Sequence, residues 1–338
     1  MRPLRIGTRG SALALWQARA VAAGLERTGV SAELVIITTR GDARQDAPLS
    51  AIGGKGVFVA EIHEALQREA IDLAVHSAKD MAAVSPDGLT IAAVLAREDP
   101  RDALVFPLGV GPVVDKAHST TKDQLPTTKG ALVEGCRSTG WKLEVGSWET
   151  TQAFEGVIGT GSPRRIAQLR RLYPNARFEE IRGNVDTRLR KLDAGEVDIL
   201  VLACAGLRRL GLADRISAPV PITDCVPAPG QGIIAIEVRS DDEQTGRLVG
   251  ALNNGDARTA LAAEQAVVAA LGGGCQLPLG VFAEVRGSDL TVRAAAASFD
   301  GSRIVHGEAA GNSATALETG MRLAQDLASR GAMELLHS

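Results

Sequence analysis

The sequence predicts two α/β lobes of similar plan, followed by a small α+β domain. Three observations predict this fold class. Short apolar runs alternate with helical periodicities, three landmarks recur in the same order in both halves, and an alternating strand pattern follows the last of them. With 338 residues, 45% of them apolar, the chain is long enough for two or three domains with hydrophobic cores.

The first landmark is a strand, a tight turn and a capped helix. The apolar run 4–7 precedes Ser11, which suits an N-cap, and apolar residues then recur at helical spacing. The second half repeats this order. The run 157–159 precedes Ser162 as a cap, and Pro163 suits the first helical position.

Two further landmarks repeat in order. The strand and polar turn at 34–42 resemble those at 177–184, and the helix-to-strand step at 70–75 resembles that at 196–201. Strands that alternate with helices predict a largely parallel sheet in each lobe. Ligands would then bind where strands end, in the cleft between the lobes.

The remaining segments complete the domain plan. Residues 219–232, rich in Pro and Gly, are predicted to cross between the lobes, and 233–238 to return as a strand. A third domain is predicted from an alanine-rich helix (257–271), two strands (281–285 and 290–296) and a final helix (314–329). We therefore assign 1–100 with 233–250 to lobe one, 101–232 to lobe two and 251–338 to the third domain. Residues 106–156 fit neither lobe and are interpreted as an inserted surface loop or hairpin.

Composition excludes several classes of protein. The net charge is −3 and only 3% of residues are aromatic, which disfavours nucleic-acid and anionic-lipid binding. No secretory signal and no apolar run of membrane-spanning length is present. The four cysteines are scattered without a C-x2-C pair, so we expect no metal site and reduced thiols. We expect a cytoplasmic monomer.

Positive charge is concentrated in one segment. Residues 157–215 carry eleven Arg and one Lys against seven acidic residues, in a chain of net charge −3. Arg164 and Arg165 fall in the first turn of a predicted helix, where guanidinium groups and free N–H groups can bind a carboxylate or phosphate. Arg9 occupies the corresponding place in lobe one. The alternative for any single arginine is a solvated basic surface.

Two familiar nucleotide motifs are rejected. Residues 53–56 read GGKG but lack the upstream glycine and the following Ser or Thr of a phosphate-binding loop. Residues 159–161 read GTG, yet Arg164 stands where a dinucleotide fingerprint has its third small residue. The sequence supports neither nucleoside triphosphates nor NAD.

Two positions are candidates for chemistry. Asp80 lies just beyond a predicted strand, and Lys79 beside it favours the ionised carboxylate, although a helix cap is the alternative role for Asp80. Cys275 follows three glycines, which can present a thiol on an open loop. Cys204 is interpreted as a core residue of a strand at 200–205, and a structural thiol is also the default for Cys275.

At these motifs the sequence resembles the porphobilinogen deaminase family over nearly its whole length, excluding the proposed insertion at 106–156. Ten ordered blocks carry the resemblance: IGTRGSALALWQA, TRGD, GGKGVFVAEI, AVHSAKDM, REDPRDA, GTGSPRR, RGNVDTRLRKLD, LACAGLRRLG, PAPGQGIIAIE and GGGCQLPLG. Together they are far more specific than any single short motif.

The resemblance implies a reaction and a cofactor. Four porphobilinogen molecules are joined in turn, each losing ammonia, and water releases the linear tetrapyrrole hydroxymethylbilane. The chain grows on a dipyrromethane held by a thioether to the cysteine that matches Cys275. The developing positive charge needs a nearby anion, a role that the resemblance gives to Asp80, with Lys79 beside it.

The resemblance also implies how the acetate and propionate groups of the pyrroles are held. The cofactor-binding positions it implies are Arg9, Ser11, Lys55, Thr160, Ser162, Arg164, Arg165, Arg182, Gly183 and Arg188. The substrate-binding positions are Arg9, Phe58, Arg182, Arg188 and Arg209.

Departures from the family pattern leave these groups in place. Ala51 and Ala60 stand where lysines are frequent, and Met81-Ala82 where Val-Pro is common. Two other interpretations stay open at this point. The two-lobed plan is also periplasmic-binding-protein-like, which would suit a non-catalytic anion-binding protein, and a pseudoenzyme could keep the fold with 106–156 blocking the cleft.

Overall fold

In a computed structural model, the chain is described at residues 2–39, 59–109, 131–134, 142–145, 153–274 and 276–338. These residues form fifteen strands: β1 Leu4–Thr8, β2 Ala32–Ile36, β3 Leu73–Ser77, β4 Leu89–Val94, β5 Asp102–Val105, β6 Ala131–Glu134, β7 Lys142–Val145, β8 Val157–Gly159, β9 Arg177–Glu179, β10 Ile199–Ala203, β11 Ala218–Pro219, β12 Ile234–Arg239, β13 Leu279–Arg286, β14 Asp289–Ala297 and β15 Ile304–Asn312.

The same residues form nine α-helices: α1 Ala12–Arg27, α2 Ala60–Gln67, α3 Pro163–Leu169, α4 Val185–Asp193, α5 Cys204–Arg209, α6 Glu243–Gly250, α7 Gly255–Ala270, α8 Ala316–Ser329 and α9 Ala332–Leu335. None of the helices in these ranges has both the length and the apolar composition needed to cross a membrane.

The two lobes contain five-stranded sheets with the same plan. The first sheet has the order β2-β1-β3-β12-β4, and the second has the order β9-β8-β10-β5-β11. In each sheet four strands run in one direction, and β12 or β5 runs against both of its neighbours. The reversed strand is the one formed after the chain crosses between lobes. The predicted fold class and the repeated plan of the lobes are confirmed.

Local sequence explains how these elements begin. The Ser11 hydroxyl accepts a hydrogen bond from the backbone N–H of Ala14 at 3.3 Å, which confirms the predicted cap of α1. Pro163 stands at the first position of α3, as expected. Ser162 occupies the N-cap position there, but its side chain makes no capping bond. Instead its backbone N–H donates to the Thr160 hydroxyl at 3.3 Å.

The third domain packs two long helices against a three-stranded antiparallel sheet of order β13-β14-β15. The predicted helix and strands are present, and the final helix begins at Ala316 after a 3₁₀ turn. The strand β15 was not predicted. Its sequence, IVHGEAAGN, is poor in large apolar residues because it is an edge strand whose side chains are alternately exposed.

Two expectations need correction. Phe106 and Phe154, at the ends of the proposed insertion, are buried in the core of lobe two, so those ends belong to the lobe. Between them, β6 and β7 pair as an antiparallel hairpin. Cys204 is fully buried as expected, but it begins α5 because the strand β10 ends at Ala203.

Candidate functional site

A cleft of about 460 Å³ opens where strands of both lobes end. Residues after β1, β3 and β10 line it, together with 230–233, which precede β12. Its volume is within the range of small-molecule sites, and its place at the carboxyl ends of strands is where α/β folds bind ligands. The location of the site therefore follows from the fold.

Positive charge dominates the cleft wall. The described cationic residues that line it are Arg9, Lys79, Arg165, Arg182, Arg188 and Arg209. Among the described lining residues, one carboxylate faces them, that of Asp80. Such a wall attracts a ligand with several negative charges and leaves Asp80 as an anion surrounded by cations.

Asp80 is held on a short 3₁₀ turn, Ala78–Asp80, directly after β3. The Ala78 N–H donates to the Ile233 carbonyl at 3.0 Å, which ties this turn to the residue that immediately precedes β12. Gly230 packs on the same turn with φ of +72°, and a Cβ there would lie 2.9 Å from Ala78. The absence of a side chain at Gly230 thus allows the turn to present Asp80, which is exposed to the cleft.

Lys79 lies between the cleft and a second, smaller cavity. Burial lowers the pKa of its amine to about 8, while the nearby Asp80 carboxylate opposes that shift. The side chain is nevertheless partly accessible. An amine with such a pKa can exchange a proton near neutral pH more readily than an exposed lysine.

Arg164 and Arg165 are buried and share one carboxylate, Asp102. Their guanidinium groups lie 2.8 and 2.7 Å from its two oxygens. Arg164 also donates to the Val226 carbonyl at 2.7 Å, and Arg165 to the Val201 carbonyl at 2.9 Å. Burial raises the pKa of Asp102, but the two arginines outweigh it and hold that pKa below its usual range. Sequence reasoning missed this partner; only Arg165 of the pair lines the cleft, whereas Arg164 lines the smaller cavity.

Arg188, on α4, is paired differently. Its Nε donates to the Gly183 carbonyl at 2.7 Å, and no described residue accepts a hydrogen bond from its terminal nitrogens. Burial, and to a smaller extent the charge of the nearby Arg165, lower its pKa to about 10. The guanidinium is still charged at neutral pH, so Arg188 is well placed to bind an anion in the cleft.

Arg209 and Arg182 complete the cationic wall of lobe two. Arg209 donates to the Gly232 carbonyl at 2.6 Å, and its guanidinium lies 5.8 Å from the centre of the Trp16 ring. Burial lowers its pKa to about 10. Arg182 forms an ion pair with Glu180. Gly183 follows with φ of +106°, a conformation that favours glycine.

The other candidates divide between the cleft wall, the second cavity and undescribed segments. Arg9 and Ser11 line the cleft. Ser162 lines the second cavity, of about 70 Å³, together with Gly274, which immediately precedes Cys275. Thr160 is buried and lines neither. Lys55, Phe58 and Cys275 lie outside the described residues.

Sequence reasoning also missed several polar residues of the cleft. The Gln17 amide donates to the Ser77 hydroxyl at 2.8 Å, which joins α1 to the end of β3. The Gln231 amide donates to Asp102 at 2.9 Å and so links the crossing segment to the buried arginine pair. A polar Gln17 on the buried side of α1 was the available signal.

Comparisons with known proteins identify the family to which the chain is similar. Residues 4–247 match the family model described as porphobilinogen deaminase, dipyromethane cofactor binding domain, and residues 259–329 match the porphobilinogen deaminase C-terminal domain. A porphobilinogen deaminase of Acidithiobacillus ferrooxidans is 44% identical over 98% of this chain and 97% of its own length. One of Roseiflexus sp. is 42% identical over 98% of both chains.

Among solved structures, an ancestral arginine-binding protein bound to arginine is similar with a TM-score of 0.34 and 15% identity, over 75% of this chain and 92% of that one. So weak a likeness implies nothing about activity. The matches to both family models and to full-length relatives show the family directly. This chain belongs to the porphobilinogen deaminase family.

Proposed function

We propose that this chain condenses four porphobilinogen molecules, with release of ammonia, into hydroxymethylbilane on a dipyrromethane primer. The observation that carries the proposal is the position of Asp80, a carboxylate at the end of β3 that faces a wall of cations across the cleft. A pyrrole substrate with acetate and propionate groups needs both features: cations for its carboxylates, and an anion where its ring becomes positive.

The residues present fit the primer as well as the substrate. A dipyrromethane carries four carboxylates, and Arg9, Arg165, Arg182, Arg188 and Arg209 line one continuous cleft. The terminal nitrogens of Arg188 donate to no described residue, so a ligand carboxylate could accept hydrogen bonds from them. When bound, the primer supplies the pyrrole carbon to which the first substrate is joined. We propose Cys275 as its attachment point; Gly274 beside it lines the second cavity, next to Lys79.

We assign separate roles in the reaction to Asp80, to Lys79 and to the arginines of the cleft. The Asp80 carboxylate would accept a hydrogen bond from a pyrrole N–H and stabilise positive charge on that ring as ammonia leaves. Lys79, with its lowered pKa, would hold or release a proton beside Asp80. The arginines would orient each pyrrole through its carboxylates, so that the reacting carbon lies near Asp80.

Ammonia release from porphobilinogen by wild-type protein and by Asp80→Asn tests this proposal. Loss of the negative charge should lower turnover by about 10²–10³-fold, the scale of a lost electrostatic or acid–base group, with little change in porphobilinogen binding. Asp87→Asn, on an exposed turn of the same lobe, is the matched control and should keep full turnover. Wild-type protein that binds porphobilinogen without releasing ammonia would instead indicate a binding protein.

A further inference from the structure

A cluster of two histidines and a glutamate lies within lobe one, away from the residues that line the cleft. His76 on β3 and Glu237 on β12 are diagonal neighbours on one face of the sheet, because Ala235 lies opposite His76 and Ala74 opposite Glu237. Helix α2 covers this face through its buried apolar side chains and brings His63 to the same point. The three residues therefore converge from three separate elements.

The distances within this cluster are short. The Nε2 atoms of His63 and His76 lie 2.9 and 3.3 Å from the same oxygen, Oε2 of Glu237. One ligand atom from each residue can be chosen so that all lie within 4.8 Å of one another. Across the described ranges, this is the one group of three or more His, Cys, Asp or Glu residues that meets this condition.

The polar atoms of the cluster are buried and contact one another, but their hydrogen-bonding capacity is incompletely satisfied. Glu237 is 0% exposed, and the side chains of His76 and His63 are 3% and 16% exposed. Both Nε2 atoms lie at ion-pair distance from Oε2 of Glu237 without hydrogen-bond geometry, and Oε1 of Glu237 has no hydrogen-bond partner among the described residues. Buried polar groups are costly unless they are satisfied, so this arrangement needs a further explanation.

We propose that His63, His76 and Glu237 bind a divalent transition-metal ion of the zinc class. In a tetrahedral site with metal–ligand bonds of about 2.1 Å, neighbouring ligand atoms are about 3.4 Å apart. The distance from His76 Nε2 to Oε2, 3.3 Å, is close to that value, and the distance from His63 Nε2, 2.9 Å, would have to lengthen slightly on metal binding. Two imidazoles and a carboxylate suit zinc and its neighbours, whereas Mg²⁺ and Ca²⁺ prefer oxygen ligands alone.

The position of the cluster gives the metal access and a structural role. The His63 side chain is 16% exposed, so an ion and a water as fourth ligand would reach the cluster from that side. A bound ion would tie α2 to β3 and β12. Because β3 continues into the turn that carries Lys79 and Asp80, the ion would fix the base of that turn. This site is separate from the proposed reaction and does not depend on it.

Metal content of the full-length holoprotein provides the first test. Protein treated with a chelator and then dialysed against Zn²⁺ should retain one equivalent of zinc by elemental mass spectrometry. Replacement by Co²⁺ should give the intense visible absorption of a four- or five-coordinate ion. A thiolate-to-cobalt charge-transfer band should be absent, since the proposed ligands are nitrogen and oxygen; its presence would assign the metal to cysteines and overturn the proposal.

His63→Ala is the decisive variant because His63 is partly exposed and its loss is tolerable for folding. We expect its zinc affinity to fall by more than about 100-fold, beyond the range for losing an outer-shell partner. Zn²⁺ should raise the Tm of wild-type protein but not of this variant. The control is His306→Ala, which changes a histidine of the third domain; this variant should still retain one equivalent of zinc.

Two results would overturn the site. One is wild-type protein that retains no more zinc than His63→Ala, which would leave the cluster as an ion-paired trio without metal. The other is a His63→Ala variant with unchanged zinc content and cobalt spectrum. Glu237→Gln is a weaker test, because a fully buried substitution can impair folding by itself.

Discussion

The Asp102 carboxylate accepts two hydrogen bonds from Arg165, at 2.7 and 3.0 Å, in the interior of lobe two. Arg165 at the same time forms part of the cleft wall, so this ion pair connects the core to the site. Arg164 shares the carboxylate from the side of the second cavity. The paired arginines, expected from sequence to bind ligand, therefore also have a structural partner.

Removing the charge of Asp102 should destabilise the fold. Asp102→Asn leaves two buried guanidinium groups without their counter-ion, which costs about 3–5 kcal/mol of unfolding free energy. Urea denaturation measures the change. Asp326→Asn, which breaks an exposed pair with Arg330, is the control and should cost less than about 1 kcal/mol. If both variants lose the same small amount of unfolding free energy, the buried contact between Asp102 and the two arginines is not needed for stability.

Arg165 and Arg188 should respond differently to leucine. Arg165→Leu removes a partner of a buried carboxylate and should lower the Tm as well as activity. Arg188→Leu removes a partly buried cation whose terminal nitrogens donate to no described residue, so it should impair pyrrole chain extension while the Tm stays equal or rises. Calorimetry and an elongation assay on both variants check this contrast. Normal elongation by Arg188→Leu would contradict its proposed role.

Lys79 should make stability depend on pH in a defined window. Its folded-state pKa, about 8, lies below the 10.5 of an unperturbed lysine. Below pH 8 the amine is charged in both the folded and the unfolded state, and burying that charge lowers the free energy of unfolding. Between about pH 8 and 10.5 the unfolded chain binds more protons than the folded one, so the free energy of unfolding rises with pH.

Lys79→Met removes this cost while keeping an apolar stem. The variant should be more stable than wild type at pH 7, and the difference should vanish above about pH 10.5. Urea denaturation at several pH values measures it, with Lys191→Met, at a lysine on the surface of α4, as control. Because Lys79 is partly exposed, the effect is small, and a difference independent of pH would contradict the lowered pKa.

Much of the fold could be predicted because local signals coincide with tertiary structure. Ser11 and Pro163 mark helix starts, and the apolar runs before them become β1 and β8. The strand β15 could not be predicted, because its alternating Gly, Ala and Glu residues carry little apolar periodicity and it is defined by pairing with β14. Cys204 was placed one element too early because the strand and the following helix are both apolar.

The site was only partly predictable, for a physical reason. Residues that follow strand ends, such as Asp80, can be located from the order of elements alone. Ion pairs depend on the final packing: Asp102 precedes Arg164 by 62 residues, and nothing local joins them. The cluster of His63, His76 and Glu237 could not be predicted for the same reason, because its residues meet only in the folded chain and their spacing matches no local metal motif. The proposed roles of Lys55, Phe58 and Cys275 stay predictions.

The mass of the denatured, reduced protein, purified from cells that make porphobilinogen, tests the central claim most directly. A thioether survives reduction, so wild type should carry an adduct of two pyrrole units, and peptide mapping should place it on Cys275. Cys275→Ala should carry no adduct and release no ammonia, whereas Cys225→Ala, at a buried cysteine, is the control that should keep the adduct. Wild-type protein of unmodified mass that still produces hydroxymethylbilane would contradict the account.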